Sequence, residues 1–301
     1  MDRHGYIDTE QVNFGYSDSI YTTPDYDLHC HNFYEVYFFL EGDVDYLVEG
    51  RQYKPTPCSL LLLSPHVFHG VRINSSTPYR RYSIHFHPDI LSADRRDILL
   101  SAFPSSGQEA SRIYFEQVDR FRIPCCFEDL EDCAGQEKSI RDRLLPVYTE
   151  NLLARSMSMS AALGTVPGLC REPATIEEII LYLNLHLKEP ITLDQLSDRF
   201  FISKHHLNKV FRKATGTTVF HYLLHKRVIL AQQLLIEGNS AQEAAIQAGF
   251  GDYSSFYRAY THILGHSPLK DRGVLPPLYV SSGKGLKNVG LRKQPLSPDA
   301  D

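Results

Sequence analysis

The sequence predicts an α+β fold of two domains, an N-terminal antiparallel β-barrel with attached helices and a C-terminal all-helical domain. Three observations lead to this prediction. Short β-rich runs fill the first third of the chain, a duplicated helical unit fills the last third, and a stretch of small residues lies between them. With 301 residues, 43% of them hydrophobic and 22% charged, the chain is long enough for two separate cores.

The β-rich part spans residues 28 to 86. Its runs are broken at short intervals by turn-forming residues, namely Gly42, Gly50, Pro55, Pro57, Pro65 and Pro78. Short strands with regular turn signals are typical of a small antiparallel barrel or sandwich. We therefore assign residues 1–125 to the barrel.

Helical spacing of apolar residues follows the barrel. The apolar stripe comprises Ile140, Leu144, Val147, Leu152 and Leu153, with Pro146 as an expected kink. Residues 126–155 are therefore predicted to form a helical segment that packs on the barrel or makes a dimer interface.

Two further segments are predicted to lack regular structure. Residues 156–174 are small and turn-prone, which is the composition of a flexible linker. Residues 273–301 contain too few apolar groups to offset the entropy of ordering, so we expect a disordered tail. These limits confine the helical domain to residues 175–272.

One unit occurs twice in the helical domain. Residues 201–218 (FISKHHLNKVFRKATGTT) align without gaps with residues 250–267 (FGDYSSFYRAYTHILGHS), at a constant offset of 49 residues. Such a repeat predicts two copies of the same local structure.

The first copy has the pattern of an amphipathic helix. Ser203 is expected to cap its start and Gly216 to end it. The face predicted to be buried comprises Leu207, Val210, Phe211 and Ala214. The outward face carries Lys204, His205, Asn208, Lys209 and Arg212.

The second copy has the same pattern. Asp252 is the expected cap and Gly265 the expected end. The predicted buried residues are Phe256, Ala259, Tyr260 and Ile263. The outward face carries Tyr253, Ser254, Tyr257, Arg258 and Thr261.

A short helix with its own start signal precedes each copy. Thr192 with Gln195, and Ser240 with Glu243, fit the capping-box pattern. Each pair of helices therefore makes a helix-turn-helix unit. The amphipathic stretch 218–236 between the units is expected to be a long helix that holds them rigidly.

The helical domain also contains several short motifs at fixed spacing. They are Ile191-Thr192-Leu193; Ser203, Leu207, Phe211 and Gly216; Tyr222-Leu223 with Arg227; Ala231 with Leu234-Leu235; Gly249-Phe250 with Phe256 and Arg258; and Gly265 with Ser267-Pro268. With these motifs, residues 176–272 resemble the DNA-binding domain of the AraC/XylS family of transcription regulators. Tyr260 stands where the family usually has Phe, and Lys270-Asp271-Arg272 replaces its usual Tyr-Arg ending.

This resemblance implies a sequence-specific regulator that reads double-stranded promoter or operator DNA. The side chains expected to contact DNA are His205, Asn208, Lys209 and Arg212 in the first copy, and Tyr253, Ser254, Tyr257 and Arg258 in the second. Asn can pair with adenine, and Lys or Arg with guanine, in the major groove. The resemblance also implies a small-molecule effector bound in the barrel. Further expected partners are a second copy of the chain, in a homodimer, and RNA polymerase.

The charge distribution is compatible with this function. The chain carries a formal net charge of −5, which by itself would be unusual for a DNA-binding protein. Residues 1–155 carry −9, however, whereas residues 174–272 carry +2 and seven histidines. Affinity for nucleic acid depends on the local basic surface and not on the total charge.

The barrel contains a group of possible metal ligands. His29, His31, Glu35 and Gly42 have the spacing H-x-H-x3-E-x6-G, and His69 follows later. This set resembles the two motifs of cupins, which in metal-binding members hold iron, zinc, manganese or nickel. The second motif is degraded, because Ser59 stands in place of its usual Gly. We therefore expect an effector pocket without metal or cofactor, with a metal site as the alternative.

Strand parity extends this pocket. Tyr37 shares a strand face with Glu35, and Arg81 and Ser83 share a face on a later strand. Aromatic walls with a few polar groups suit a sugar or a similar small polar ligand. The predicted effector-binding residues are therefore His29, His31, Glu35, Tyr37, His69, Arg81 and Ser83.

Two other functions remain as alternatives. A metal-dependent cupin enzyme with an accessory DNA-binding domain would use the barrel for catalysis, but the paired helix-turn-helix units favour a non-enzymatic regulator. A purely architectural DNA-binding protein would have no need of an acidic, pocketed barrel. Because no apolar run approaches the length of a membrane span, we expect a cytoplasmic protein without a membrane partner.

Overall fold

The computed structural model describes residues 6–23, 26, 29–103, 112–164, 175–215, 217–274, 279–282 and 285–288. Gly216, the expected end of the first repeat helix, lies outside these residues, as does most of the predicted linker. No helix within the described ranges has both the length and the apolar character that crossing a bilayer requires.

The N-terminal domain consists of two antiparallel sheets. Its strands are β1 (Tyr6–Asp8), β2 (Val12–Ser19), β3 (His29–His31), β4 (Tyr34–Glu41), β5 (Val44–Val48), β6 (Arg51–Tyr53), β7 (Ser59–Leu63), β8 (His69–Ile73), β9 (Tyr79–Phe86) and β10 (Tyr114–Phe115). The first sheet has the order β1-β2-β9-β4-β7-β10, and the second contains β3-β8-β5-β6. The sequence-based prediction of an antiparallel β-rich domain is confirmed.

The central strand β4 separates two apolar layers because its side chains alternate between the faces of the sheet. Val36 and Phe38 lie on the outer face, in a core with Phe127 from the following helices. Tyr37 and Phe39 lie on the inner face and pack against residues of the second sheet, among them Tyr46. The space between the two sheets is called the lumen below.

The N-terminal domain also contains three helices: α1 (Arg96–Leu100) lies between β9 and β10, and α2 (Ile123–Ala134) and α3 (Lys138–Leu163) follow β10. Leu152 and Leu153 are buried against the sheet, as predicted, but Ile140 and Val147 are 45% and 58% exposed. Helix α3 also continues through Pro146 to Leu163. The predicted linker 156–174 is therefore helical over its first eight residues, because Met159 is buried in the same core.

The C-terminal domain is all-helical. Its helices are α4 (Thr175–Leu185), α5 (Leu193–Phe200), α6 (Lys204–Thr215), α7 (Val219–Ile236), α8 (Ala241–Gln247) and α9 (Tyr253–Leu264). Helices α6 and α9 have 12 residues each and begin 49 residues apart. The ungapped repeat therefore corresponds to two helices of equal length, each the second helix of its unit.

The predicted start signals of the four repeat helices are present. Thr192 and Ser240 each form a complete capping box, with Gln195 and Glu243. The Ser203 hydroxyl accepts a hydrogen bond from the His206 amide at 3.3 Å, and the Asp252 carboxylate accepts one from the Ser255 amide at 2.8 Å.

The tail differs in part from the sequence-based expectation. Strands β11 (Tyr279–Ser282) and β12 (Gly285–Asn288) form a hairpin that extends the second sheet by pairing with β3. The prediction of disorder is therefore wrong for these eight residues, because an unpaired sheet edge supplies the hydrogen bonds that the sequence pattern did not reveal.

Candidate functional site

Five titratable side chains meet at one end of the lumen. Strand β3 supplies His29 and His31, β4 supplies Glu35, β8 supplies His69 and β9 supplies His85. These five residues are called the lumen cluster. Glu35 Oε2 lies 3.0 Å from His31 Nε2 and 3.2 Å from His69 Nε2, and Glu35 Oε1 lies 3.4 Å from His85 Nε2. One carboxylate is thus surrounded by three imidazoles.

Backbone carbonyl groups orient two of these imidazoles. His31 Nδ1 lies 3.0 Å from the Phe33 carbonyl oxygen, and His69 Nδ1 lies 2.8 Å from that of Val67. Because a carbonyl oxygen only accepts, each Nδ1 carries the proton and donates it. The Nε2 atoms are therefore the ones that face Glu35, and His69 Nε2 has no hydrogen-bond partner among the described residues.

Burial and neighbouring groups shift the pKa values of His31 and Glu35. His31 and His69 are 1% and 0% exposed. Burial lowers the pKa of His31 well below its usual value, although the hydrogen bond to Glu35 opposes this effect. Burial by itself would raise the pKa of Glu35, but the adjacent imidazoles, first that of His85, hold it well below its usual value. The carboxylate is ionised at neutral pH.

The other predicted effector-binding residues line the same lumen. The register pairs Glu35 with His85, Tyr37 with Ser83 and Phe39 with Arg81 across β4 and β9, so these side chains share one face of the sheet. The Tyr37 and Tyr79 hydroxyls lie 2.9 Å apart. The Arg81 guanidinium lies 4.5 Å from the centre of the Tyr79 ring, and its Nη1 is buried without a hydrogen-bond partner among the described residues.

The strands that carry the lumen histidines contact the helical domain with their opposite faces. Cys30, between His29 and His31, places its Sγ 3.7 Å from His225 Nδ1 on α7. The centre of the Phe68 ring, next to His69, lies 5.0 Å from the ring centre of Tyr222 and 5.3 Å from that of His225. Helix α7 therefore rests directly on the back of the lumen cluster.

Glu49 makes the main polar contact between the domains. It lies in the turn after β5 with a left-handed φ of 46°. Its carboxylate accepts hydrogen bonds from Lys226 Nζ at 2.5 Å, from the Phe68 amide at 2.8 Å and from the Tyr222 hydroxyl. Sequence analysis missed this contact because Glu49 and Lys226 are 177 positions apart in the chain. Its only local signal is a charged residue before Gly50 in a turn.

The DNA-contacting residues predicted on α6 are mostly exposed. His205, Lys209 and Arg212 point to solvent. Asn208 is half-buried, and its Oδ1 is buried without a hydrogen-bond partner among the described residues. The prediction that Asn208 faces outward is therefore only partly correct, since the oxygen of its carboxamide is buried.

The corresponding residues on α9 are all exposed. Tyr253 and Tyr257 are 46% and 42% exposed, and Ser254 and Arg258 are also at the surface. The opposite face buries Phe256 and Tyr260, as the sequence predicted. A row of aromatic, hydroxyl and guanidinium groups is thus available to a partner.

Helix α6 has a second side, which faces the barrel. A cavity of about 220 Å³ lies between the two domains. Its lining includes Leu47, Gln52 and Arg72 from the barrel and Val210, Lys213 and Ala214 from α6. This side explains why Val210 and Ala214, predicted to be buried, are only half-buried.

Comparison with known proteins identifies both domains. Residues 12–145 match the model of the AraC-like ligand binding domain, and residues 196–273 match that of a helix-turn-helix domain. Together these matches cover more than half of the chain.

Two relatives from Bacillus subtilis are named as HTH-type transcriptional regulators. The chain is 28% identical over 230 residues to the HTH-type transcriptional regulator YbfI of Bacillus subtilis, which covers 75% of this chain and 79% of that protein. It is 25% identical over 251 residues to the regulator YobQ of the same organism, with 83% and 90% covered. The ToxT structure from Vibrio cholerae, at 12% identity and a TM-score of 0.34, covers 90% of this chain and 100% of its own. This chain belongs to the AraC-type transcription regulators, with a ligand-binding domain in front of a DNA-binding helix-turn-helix domain.

Proposed function

We propose that this regulator binds one specific promoter or operator sequence through α6 and α9, and that an effector in the lumen changes its affinity for that DNA. The observation that carries the proposal is the position of α7. This helix connects the two helix-turn-helix units and rests, through His225 and Tyr222, on the strands that hold His31 and His69. An effector that contacts His31 or His69 in the lumen thus touches residues whose direct neighbours in the chain contact the DNA-binding domain.

The exposed residues of α6 and α9 supply the chemistry for base recognition. Lys209 and Arg258 can each donate to the guanine edge, and Asn208 can pair with adenine if its half-buried amide turns outward. The 18 residues of α7 span about 27 Å, which makes it a rigid spacer. We propose that the two helices enter successive major-groove segments, roughly one helical turn apart. A footprint confined to one groove segment would contradict this arrangement.

The experiment that tests the proposal is selection of bound DNA from a random pool by the full-length chain. A regulator is expected to enrich one sequence and to bind it at least about 1,000-fold more tightly than random DNA at physiological salt. An architectural protein would bind all pool members with similar affinity. Equal affinities for enriched and random DNA would therefore refute the proposed function.

Alanine substitution of a single reading residue is expected to reduce this specificity. Lys209→Ala and Arg258→Ala should each weaken binding to the selected DNA by about 1–3 kcal/mol, because each removes a contact to a base edge. Lys138→Ala, which changes an 82% exposed lysine on α3, is the matched control and should leave binding unchanged. Affinity is measured by fluorescence anisotropy. Equal losses on selected and random DNA would show that the side chains contact phosphates instead.

The remaining partners stay predictions. The lumen has the aromatic and polar groups that a sugar requires, so a sugar remains the effector that the sequence pattern favours. Exposed Ile140 and Val147 on α3 are compatible with a homodimer, and contact with RNA polymerase follows only from the family. The relatives are named as transcriptional regulators, and they give no support to the alternative of a cupin enzyme.

A further inference from the structure

We propose that the lumen cluster binds one first-row divalent metal ion, through Nε2 of His31, Nε2 of His85 and the carboxylate of Glu35, and that this ion is the effector. The inference rests on the proposed function and names a metal ion as the effector, in place of the sugar that the sequence pattern favours. Sequence alone favoured a pocket without metal, because the second cupin-like motif is degraded. Two features of the side-chain geometry argue instead for a metal site.

The first feature is the set of distances around Glu35. Ligand atoms bound at about 2.0–2.2 Å to one ion lie roughly 3.0–3.5 Å from each other. The three distances from the Glu35 oxygens to Nε2 of His31, His69 and His85 are 3.0, 3.2 and 3.4 Å. The ligand atoms of His29, His31 and His69 also lie within 4.8 Å of one another. The ligand atoms of His31, Glu35 and His85 do so as well, and His69 and His29 are therefore the candidates for a fourth position.

The second feature is the orientation of the imidazole rings. Nδ1 of His31 and of His69 each contacts a backbone carbonyl oxygen, so that Nε2 of both rings faces the Glu35 carboxylate. His69 Nε2 is buried without a hydrogen-bond partner among the described residues. Carbonyl-bound Nδ1 groups are the usual support of metal-binding imidazoles, in which Nε2 faces the ion.

The donor set restricts the metal. Imidazole nitrogens with one carboxylate suit Zn²⁺, Fe²⁺, Mn²⁺, Ni²⁺ or Co²⁺, whereas Ca²⁺ and Mg²⁺ prefer sites made entirely of oxygen. His85 is 18% exposed, which leaves one side of the cluster accessible to an incoming ion. The inner residues His31 and His69 are closed to solvent.

Metal binding would act on the DNA-binding domain through two strands. His31 directly follows Cys30, and His69 directly follows Phe68. Both Cys30 and Phe68 contact α7. An ion that draws β3 and, with His69 as its fourth ligand, β8 toward Glu35 changes how Cys30 and Phe68 pack on His225 and Tyr222. An ion affects DNA binding only if it prefers one packing over the other, and that preference is measurable.

The first experiment measures metal content. Full-length protein without an affinity tag is stripped with a chelator, titrated with Zn²⁺ or Co²⁺ and analysed by elemental mass spectrometry and by the visible absorption of bound Co²⁺. We expect one equivalent per chain. His31→Gln and the near-isosteric Glu35→Gln should each weaken binding more than about 100-fold, because losing a direct ligand costs more than losing a supporting group. His221→Gln, an exposed histidine on α7, is the matched control and should retain full binding.

Circular dichroism of each variant separates loss of a ligand from loss of the fold. A folded Glu35→Gln protein that retains full metal affinity would overturn the site. Wild-type protein that holds far less than one equivalent would overturn it as well.

The second experiment compares the affinity of metal-free and Zn²⁺-loaded protein for the selected DNA. We expect a change of at least about fivefold that is lost in Glu35→Gln. If metal binds at one equivalent and the affinity for DNA does not change, the ion is not the effector. If the protein selects DNA but binds no metal, this inference fails and the proposed function stands. If the protein binds metal but selects no DNA, the proposed function fails while the metal site remains.

Discussion

Replacing Gly249 by alanine is expected to destabilise the helical domain by about 3 kcal/mol or more. Gly249 has a φ of +85°, which L side chains rarely adopt. An added Cβ would also lie 2.7 Å from the Lys188 carbonyl oxygen and 2.8 Å from its Cα. These neighbours are backbone atoms that no rotamer change can move, so the strain and the clash add.

Two other glycines separate the contributions. Gly251→Ala should be nearly neutral, because its Cβ would meet no atom within 4 Å and its φ is not in the left-handed region. Gly238→Ala tests the backbone strain alone, since its φ is +98° with open space around it, and should cost about 1 kcal/mol. Urea denaturation of the full-length chain measures all three. If Gly249→Ala lowers the free energy of unfolding no more than Gly238→Ala does, the close approach of the Lys188 backbone does not contribute to the loss of stability.

Local sequence signals were sufficient for this region. Gly249 follows α8 in a Schellman motif, in which its own amide donates to Ile246 and the Phe250 amide donates to Ala245, each at 3.0 Å. The glycine after an apolar run and the capping box at Ser240 both act within a few residues. The positions of the repeat helices could therefore be predicted from the sequence.

Contacts between distant segments could not be predicted. Tyr260 and Asp271 were noted as two separate departures from the family pattern, yet the Tyr260 hydroxyl donates to Asp271 at 2.5 Å. Gln232 donates to the same carboxylate at 2.8 Å, and Asp271 is 3% exposed. The two departures are thus one buried hydrogen-bonded pair, which a periodicity argument treats as unrelated positions.

The candidate site likewise combines features that the sequence predicted with features that it could not predict. Parity along β4 and β9 was enough to place Glu35, Tyr37 and Arg81 on one face, because the side-chain period of a strand is fixed. Parity could not reveal which imidazole nitrogen faces Glu35, since the carbonyl groups of Phe33 and Val67 decide it. Strand β2 was also missed, although Val12 and Phe14 alternate with polar residues.

Replacing Glu49 by alanine is expected to weaken the contact between the two domains by about 3 kcal/mol, because it leaves Lys226 and Tyr222 without their shared acceptor. Lys226 and Glu49 are only 14% and 20% exposed, so water replaces the lost contacts poorly. Glu41→Ala is the matched control. Its partner Arg80 is at the surface, and solvent screens that pair.

The coupling between Glu49 and Lys226 can be isolated by a double-mutant cycle with Lys226→Ala, measured by urea denaturation. A coupling free energy of 0.5 kcal/mol or more, on the order expected for residues in contact, would support a direct interaction. Additive effects of the two substitutions would contradict it.

The same contact should depend on pH. Burial by itself would raise the pKa of Glu49, but the charge and hydrogen bond of Lys226, with those of Tyr222 and the Phe68 amide, hold it below its ordinary value of 4.5. A carboxyl whose pKa is lower in the folded state stabilises that state fully above about pH 4.5 and loses this contribution as the pH falls through the lowered value. The stability difference between wild type and Glu49→Ala should therefore shrink below about pH 4.5. A difference that stays constant down to pH 3 would show that the charge of Glu49 does not hold the domains together. If it does shrink, Glu49 joins the barrel to the helix between the two DNA-reading units, and Glu49→Ala should also reduce the change in DNA affinity that lumen occupancy produces.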